Sequence, residues 1–102
     1  MNLKQKVEKT LKDHPKTRDD DAVLTMFIWY LYHQDKLFLK DDIWCVELQK
    51  IKELPREDAC KRYRAKFNEN DKYLSEDIRV LKRRKQLDKV WKKDLGYEVR
   101  TY

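Results

Sequence analysis

Residues 55–68 read PREDACKRYRAKFN, and the fold of the chain turns on how this stretch is read. Its apolar residues, Ala59, Cys60, Tyr63 and Phe67, fall at i, i+1, i+4 and i+8, one stripe of an α-helix. At about 100° per residue, Glu57, Asp58, Lys61, Arg62, Ala65 and Asn68 turn away from that stripe. Arg64 and Lys66 flank it on either side. The spacing predicts a helix that packs its back into a core and offers a basic front to a polyanion. Pro55 suits the first turn, where its missing N–H would have no partner. Glu57 and Asp58 follow it, where the helix dipole favours negative charge.

Upstream, residues 42–52 are expected to form a short helix capped by Asp41 or Asp42, with Ile43, Trp44, Val46, Leu48 and Ile51 as its apolar residues. Lys52-Glu53-Leu54 is the turn between the two helices. Leu37-Phe38-Leu39 reads as a small strand. Before it, Asp19-Asp20-Asp21 opens a helix whose run AVLTMFIWYLY is apolar nearly all round, as suits the centre of a small domain. A buried strand is the competing reading, but the length and the acidic start favour a helix. Val23, Phe27, Tyr30 and Leu31 are expected to be its most buried residues. His33 falls at the C-terminal end, where an imidazolium is favoured and a structural role is expected. Residues 2–13 make a first helix, with Leu3, Val7 and Leu11 as a narrow stripe lying on the surface of the body. His14-Pro15 ends it.

Downstream, residues 68–75, NENDKYLS, form a polar loop with one apolar pair, Tyr73-Leu74. Ser75 is a candidate N-cap for a basic helix over about residues 76–94. Val80, Leu87 and Trp91 line one face of it, helped by Ile78, Leu81 and Val90. Gly96 is the expected C-cap, and the tail YEVRTY is short and partly aromatic.

At 102 residues the chain is one domain, 1–102. A single Gly and two Pro leave little room for β-hairpins, so a mainly α protein is expected. Charged residues make up 43%, but 12% aromatics argue against disorder. Residues 1–50 carry nine Lys or Arg against nine Asp or Glu, and residues 51–102 carry sixteen against ten. The whole net charge of +6 therefore lies in the second half, a hint of a polyanion-facing surface. A merely soluble, Lys-rich surface is the plain alternative. Cys45 and Cys60, both on expected helices, lack metal-site spacing and read as reduced thiols. The N-terminus has no apolar core segment of a signal peptide. The longest apolar run, residues 22–32, falls short of the roughly 20 residues that span a bilayer. A soluble, cytoplasmic protein with no membrane partner is expected.

Taken together, residues 19–74 run helix, strand, helix, turn, basic helix, loop. That is the order of a winged-helix or helix-turn-helix domain, here flanked by N- and C-terminal helices. In such a domain the third helix enters the DNA major groove, its cations reading guanine while others neutralise phosphates. Lys61, Arg62 and Arg64 are the candidate groove group, and Lys66 of the same helix is a further nucleic-acid-binding candidate. Arg79, Lys82, Arg83, Arg84 and Lys85 are the candidate backbone group. Double-stranded DNA is the expected partner. No catalytic residue, cofactor or metal is expected: Gly-rich phosphate loops, metal-ligand spacing and nucleophile–His pairs are missing from the sequence. The alternative is a module that binds a host protein through exposed aromatics such as Trp44, Trp91, Tyr97 and Tyr102. A homodimer through a terminal helix is compatible with either.

Over residues 41–85, the string Leu54-Pro55-Arg56-Glu57-Asp58-Ala59, then Lys61-Arg62-Tyr63-Arg64-Ala65-Lys66, Asp71-Lys72-Tyr73-Leu74 and Arg83-Arg84, resembles a group of small bacteriophage and prophage proteins of Gram-positive hosts. There an apolar-Pro dipeptide leads into an R-x-R-x-K helix, a K-Y-L loop and a basic segment. The resemblance implies a phage setting, in a bacterial host cell, and a helix-turn-helix-like body, but no activity.

Overall fold

The computed structural model describes residues 1–95, with side chains to residue 87. Among these the chain forms four α-helices and one β-hairpin: α1 (Leu3–Asp13), α2 (Asp21–Tyr32), β1 (Leu37–Lys40), β2 (Ile43–Val46), α3 (Glu57–Glu69) and α4 (Ile78–Leu95). Short 3₁₀ turns at Pro15–Arg18, Gln34–Lys36 and Leu48–Glu53 connect them. The core is built by three helices: Val7 and Leu11 of α1, Leu24 and Ile28 of α2, and Cys60 and Phe67 of α3. α1 is thus a full wall of the core rather than a helix laid on its surface.

Local chemistry sets the helix ends. Asn2 and Gln5 form a reciprocal capping box on α1, a signal in the Asn-x-x-Gln spacing that the sequence reading passed over. His14 closes α1 and Pro15 opens the next turn, as expected. Asp20 caps α2 by accepting from the Ala22 and Val23 amides. Pro55 lies outside α3, which begins at Glu57. The Pro55 carbonyl accepts from Trp29 Nε1 at 2.7 Å and so ties the chain ahead of α3 to α2. α4 starts two residues later than expected: Asp77 accepts from the Arg79 amide, while buried Ser75 donates to Asp19 and accepts from the Asp77 amide.

Three expectations need correction. The segment 42–52 is not a helix. Its first half is β2, antiparallel to β1 in the register Leu37↔Val46 to Lys40↔Ile43, and its second half is the 3₁₀ turn Leu48–Glu53. Asp41 and Asp42, read as caps, have φ of 52° and 62° and make the two-residue hairpin turn. Aspartate tolerates this left-handed backbone better than most non-glycine residues, so the hairpin needs no glycine. Cys45 accordingly lies on a strand, half-buried, while Cys60 is buried on α3 as expected.

The buried face of α2 is also turned from the expected one. Leu24, Thr25 and Ile28 are buried, Val23 and Phe27 are half-buried, and Tyr30 and Leu31 are exposed. A helix apolar all round has no period to select its face. Here the polar Asp21 selects it, by turning toward α3.

The expected wing after α3 carries no strand; the strand pair stands before α3. Residues 70–77 form instead a turn held by side chains. Asn68 Nδ2 donates to the carbonyls of Lys72 and Tyr73 at 3.0 and 3.2 Å. Tyr73, with φ of 54°, sits edge-on to Phe67, beneath the Arg18 guanidinium, and donates to Glu8. Of the residues expected to line α4, Val80 is buried and Leu81 half-buried, but Ile78 and Leu87 are exposed. Val90, Trp91, Gly96, Tyr97 and Tyr102 lie outside the described side chains.

Candidate nucleic-acid interface

The nine candidate cations divide into exposed and structural groups. On α3, Lys61, Arg62 and Lys66 are exposed. So are Glu57, Asp58 and Glu69 of the same helix, so its outer surface carries three cations against three acids. Arg64 does not join them. It is buried, with Nε and Nη2 donating to Asp21 Oδ1 and Oδ2 at 2.8 and 2.9 Å and Nη1 donating to Asn68 at 3.2 Å. Its place one residue after Tyr63, on the edge of the apolar stripe, put it within reach of α2. The expectation that Arg64 faces a groove is therefore corrected: it is a structural tie.

α4 presents a different surface. Lys82, Arg83 and Lys85 are exposed, and no acidic residue occurs from Ile78 to Leu87. Lys82 and Lys85, three apart, share a helix face, and Arg79, three before Lys82 and four before Arg83, links Arg83 to them along the outer arc of the helix. Arg79 is also exposed, but Asp77 holds it: the pair is 3.3 Å apart, which raises the Arg79 pKa and lowers that of Asp77, mainly through their side-chain hydrogen bonds. Arg84 points inward with Val80. It is half-buried against the corner made by Asp19, Asp21 and Arg64. Burial first, then Arg64, lowers its proton affinity, while Asp21 and Asp19 oppose the shift. Its Nη1 is buried without a hydrogen-bond partner among the described residues. Arg84 therefore belongs to the packing of α4 on α2 and α3, not to the outer patch.

One surface feature was anticipated only at Trp44, which was expected to be an exposed aromatic and is 47% exposed. The hairpin and the adjoining side of α2 expose Met26, Tyr30, Phe38, Leu39, Ile43 and Trp44. Trp44 meets Tyr30 edge-on at 5.6 Å, which joins the hairpin to α2. Reading residues 42–52 as an amphipathic helix hid the pairing of Ile43 and Trp44 with β1, and expecting Tyr30 among the most buried residues of α2 hid its side of the surface.

Among the described residues no group of three His, Cys, Asp or Glu is placed to hold a metal ion. No described helix is long and apolar enough to cross a membrane. No protein-family model, characterised protein or solved structure matches the chain.

Proposed function

We propose that this protein binds double-stranded DNA, using α4 as its main phosphate-neutralising element. The observation that carries the reading is the exposed, acid-free patch of Lys82, Arg83 and Lys85 on α4. In this reading the unit of the Leu48–Glu53 turn, buried Leu54 and α3 stands in for a helix-turn-helix, with a hairpin and a 3₁₀ turn in place of its second helix and the strand pair ahead of α3 where a winged helix has its wing behind. Because the front of α3 is charge-balanced, Lys61, Arg62 and Lys66 orient the duplex, while α4 supplies most of the affinity. The phage-like motifs lie on this same unit and fit a phage-encoded DNA-binding protein acting in a bacterial cytoplasm.

The test is binding of a fluorescent duplex over a salt series. Each lost phosphate contact lowers the slope of log K against log salt by about 0.9. Replacing Lys82, Arg83 and Lys85 by Gln should therefore reduce the slope by two to three such steps, with helical circular dichroism unchanged. Binding that ignores salt, or none at about 50 mM salt, defeats the proposal.

A second reading, a module that inhibits or modulates a host protein, is favoured by the exposed apolar hairpin. It requires a host partner that is retained after nuclease treatment and lost in Trp44→Ala.

A further inference from the structure

We infer, on the footing of the DNA-binding proposal, that α4 lies in the major groove and that the Gln86 amide reads an adenine edge there. Arg79, Lys82, Arg83 and Gln86 fall at i, i+3, i+4 and i+7, so they line one face of α4, and all four are exposed. At about 100° per residue, Arg83 and Lys85 diverge by about 160°, and Lys82 and Gln86 fall between them. The arc is thus cationic at both edges, with one neutral side chain near its middle. An amide releases no counterion, so Gln86 adds little to a surface that only neutralises the backbone. Its carboxamide carries a donor and an acceptor side by side, the pair that matches N7 and N6 of adenine.

Size and charge favour α4 over α3 for the groove. A helix with its side chains is about 10–12 Å across, and the major groove is about 12 Å wide. From Arg79 to Gln86 the helix rises about 10 Å, which spans about three base pairs. With Lys82 and Gln86 toward the groove floor, Arg83 and Lys85 turn to opposite walls, where the phosphates of the two strands lie. No acidic residue occurs from Ile78 to Leu87, so no like charge meets those phosphates. α3 lacks this arrangement. Its Lys61 stands four residues after Glu57, its Arg62 four after Asp58 and its Lys66 three before Glu69, so each exposed cation shares its face with an exposed acid. Arg64, whose fork would suit guanine, is held by Asp21.

Selection by the full chain from a pool of duplexes with randomised centres tests this. Wild type should enrich sites with a fixed adenine. Gln86→Ala should lose the preference at that position and bind the selected duplex about tenfold more weakly. Its helical circular dichroism and its salt slope should stay unchanged, because a neutral side chain releases no counterion. Gln86→Glu, whose carboxylate accepts from cytosine N4, should move the preference there from adenine to cytosine. Replacing the adenine by 7-deazaadenine removes the N7 acceptor and keeps the base pair. That change should weaken wild type several-fold and leave Gln86→Ala unaffected. Salt-dependent binding without enrichment overturns this role for Gln86 and leaves the DNA-binding proposal standing. So does an adenine preference that Gln86→Ala or Gln86→Glu retains, or a slope that falls by about 0.9 in Gln86→Ala. Wild type that binds no duplex at about 50 mM salt removes both.

Discussion

Arg64 holds Asp21 by two parallel hydrogen bonds, at 2.8 and 2.9 Å, and so fixes α3 against the first turn of α2. The planar guanidinium fork matches the carboxylate, a geometry that a lysine at the same place does not reproduce. The three aspartates that open α2 have three separate tasks. Asp20 caps the helix, Asp21 takes Arg64, and Asp19 accepts from Ser75 at the entry to α4. Removing one member of a buried pair leaves the other charge without its counter-ion. Arg64→Met should therefore destabilise the fold by about 3 kcal/mol, and Arg64→Met with Asp21→Leu by clearly less. Urea unfolding measures both. An unchanged midpoint in Arg64→Met would contradict the assignment of Arg64 to structure rather than to binding.

Tyr73 makes a second prediction. Its left-handed backbone is costly for a bulky residue, and its ring offsets that cost by joining Phe67, Arg18 and Glu8. Burial, with the hydrogen bond to Glu8, raises the phenol pKa. Tyr73→Phe loses only the 3.2 Å bond to Glu8 and should cost about 1 kcal/mol. Tyr73→Ala loses the ring contacts as well and should cost about 2–3 kcal/mol. Equal losses in the two variants, read by thermal or urea unfolding, would show that the ring contacts carry no weight.

These contacts mark where the sequence was readable and where it was not. Val7, Leu11, Cys60 and Phe67 announced their burial because each sits on a clear helical stripe between charged residues. The ends of α1 and α2 were legible because Pro15 and Asp20 act locally. Arg64 was not legible, since its burial depends on Asp21, which is 43 residues away. The face of α2 was hidden for the same reason: the residue that selects it pairs across the fold. The hairpin was hidden because Ile43-Trp44-Cys45-Val46 is too short a run for periodicity to separate strand from helix, and Asp41-Asp42 serves a cap and a turn equally well. The basic patch on α4 was legible because an acid-free run on one helix needs no partner to be exposed, but the split between outward Lys82, Arg83 and Lys85 and inward Arg84 was set by the Asp19–Asp21 corner.

The same tertiary effect reverses the expectation for His33. Its place after α2 favours an imidazolium, yet its pKa is lowered, first by burial and then by Lys6, whose Nζ lies 3.4 Å from Nε2. Lys36 adds to the shift and Asp35 opposes it. The folded state therefore binds a proton less readily than the unfolded chain, whose histidine titrates near 6.5. This contribution to stability is present above that value and is lost as pH falls through it toward the folded pKa. Thermal melts between about pH 7.5 and 5.5 should show stability declining with acidification, in a window above the carboxylate range. His33→Gln should flatten that part of the profile, and Lys6→Gln should flatten it partly. A wild-type profile that rises toward pH 5.5, or one that His33→Gln leaves unchanged, would mean that burial and Lys6 do not outweigh the helix end.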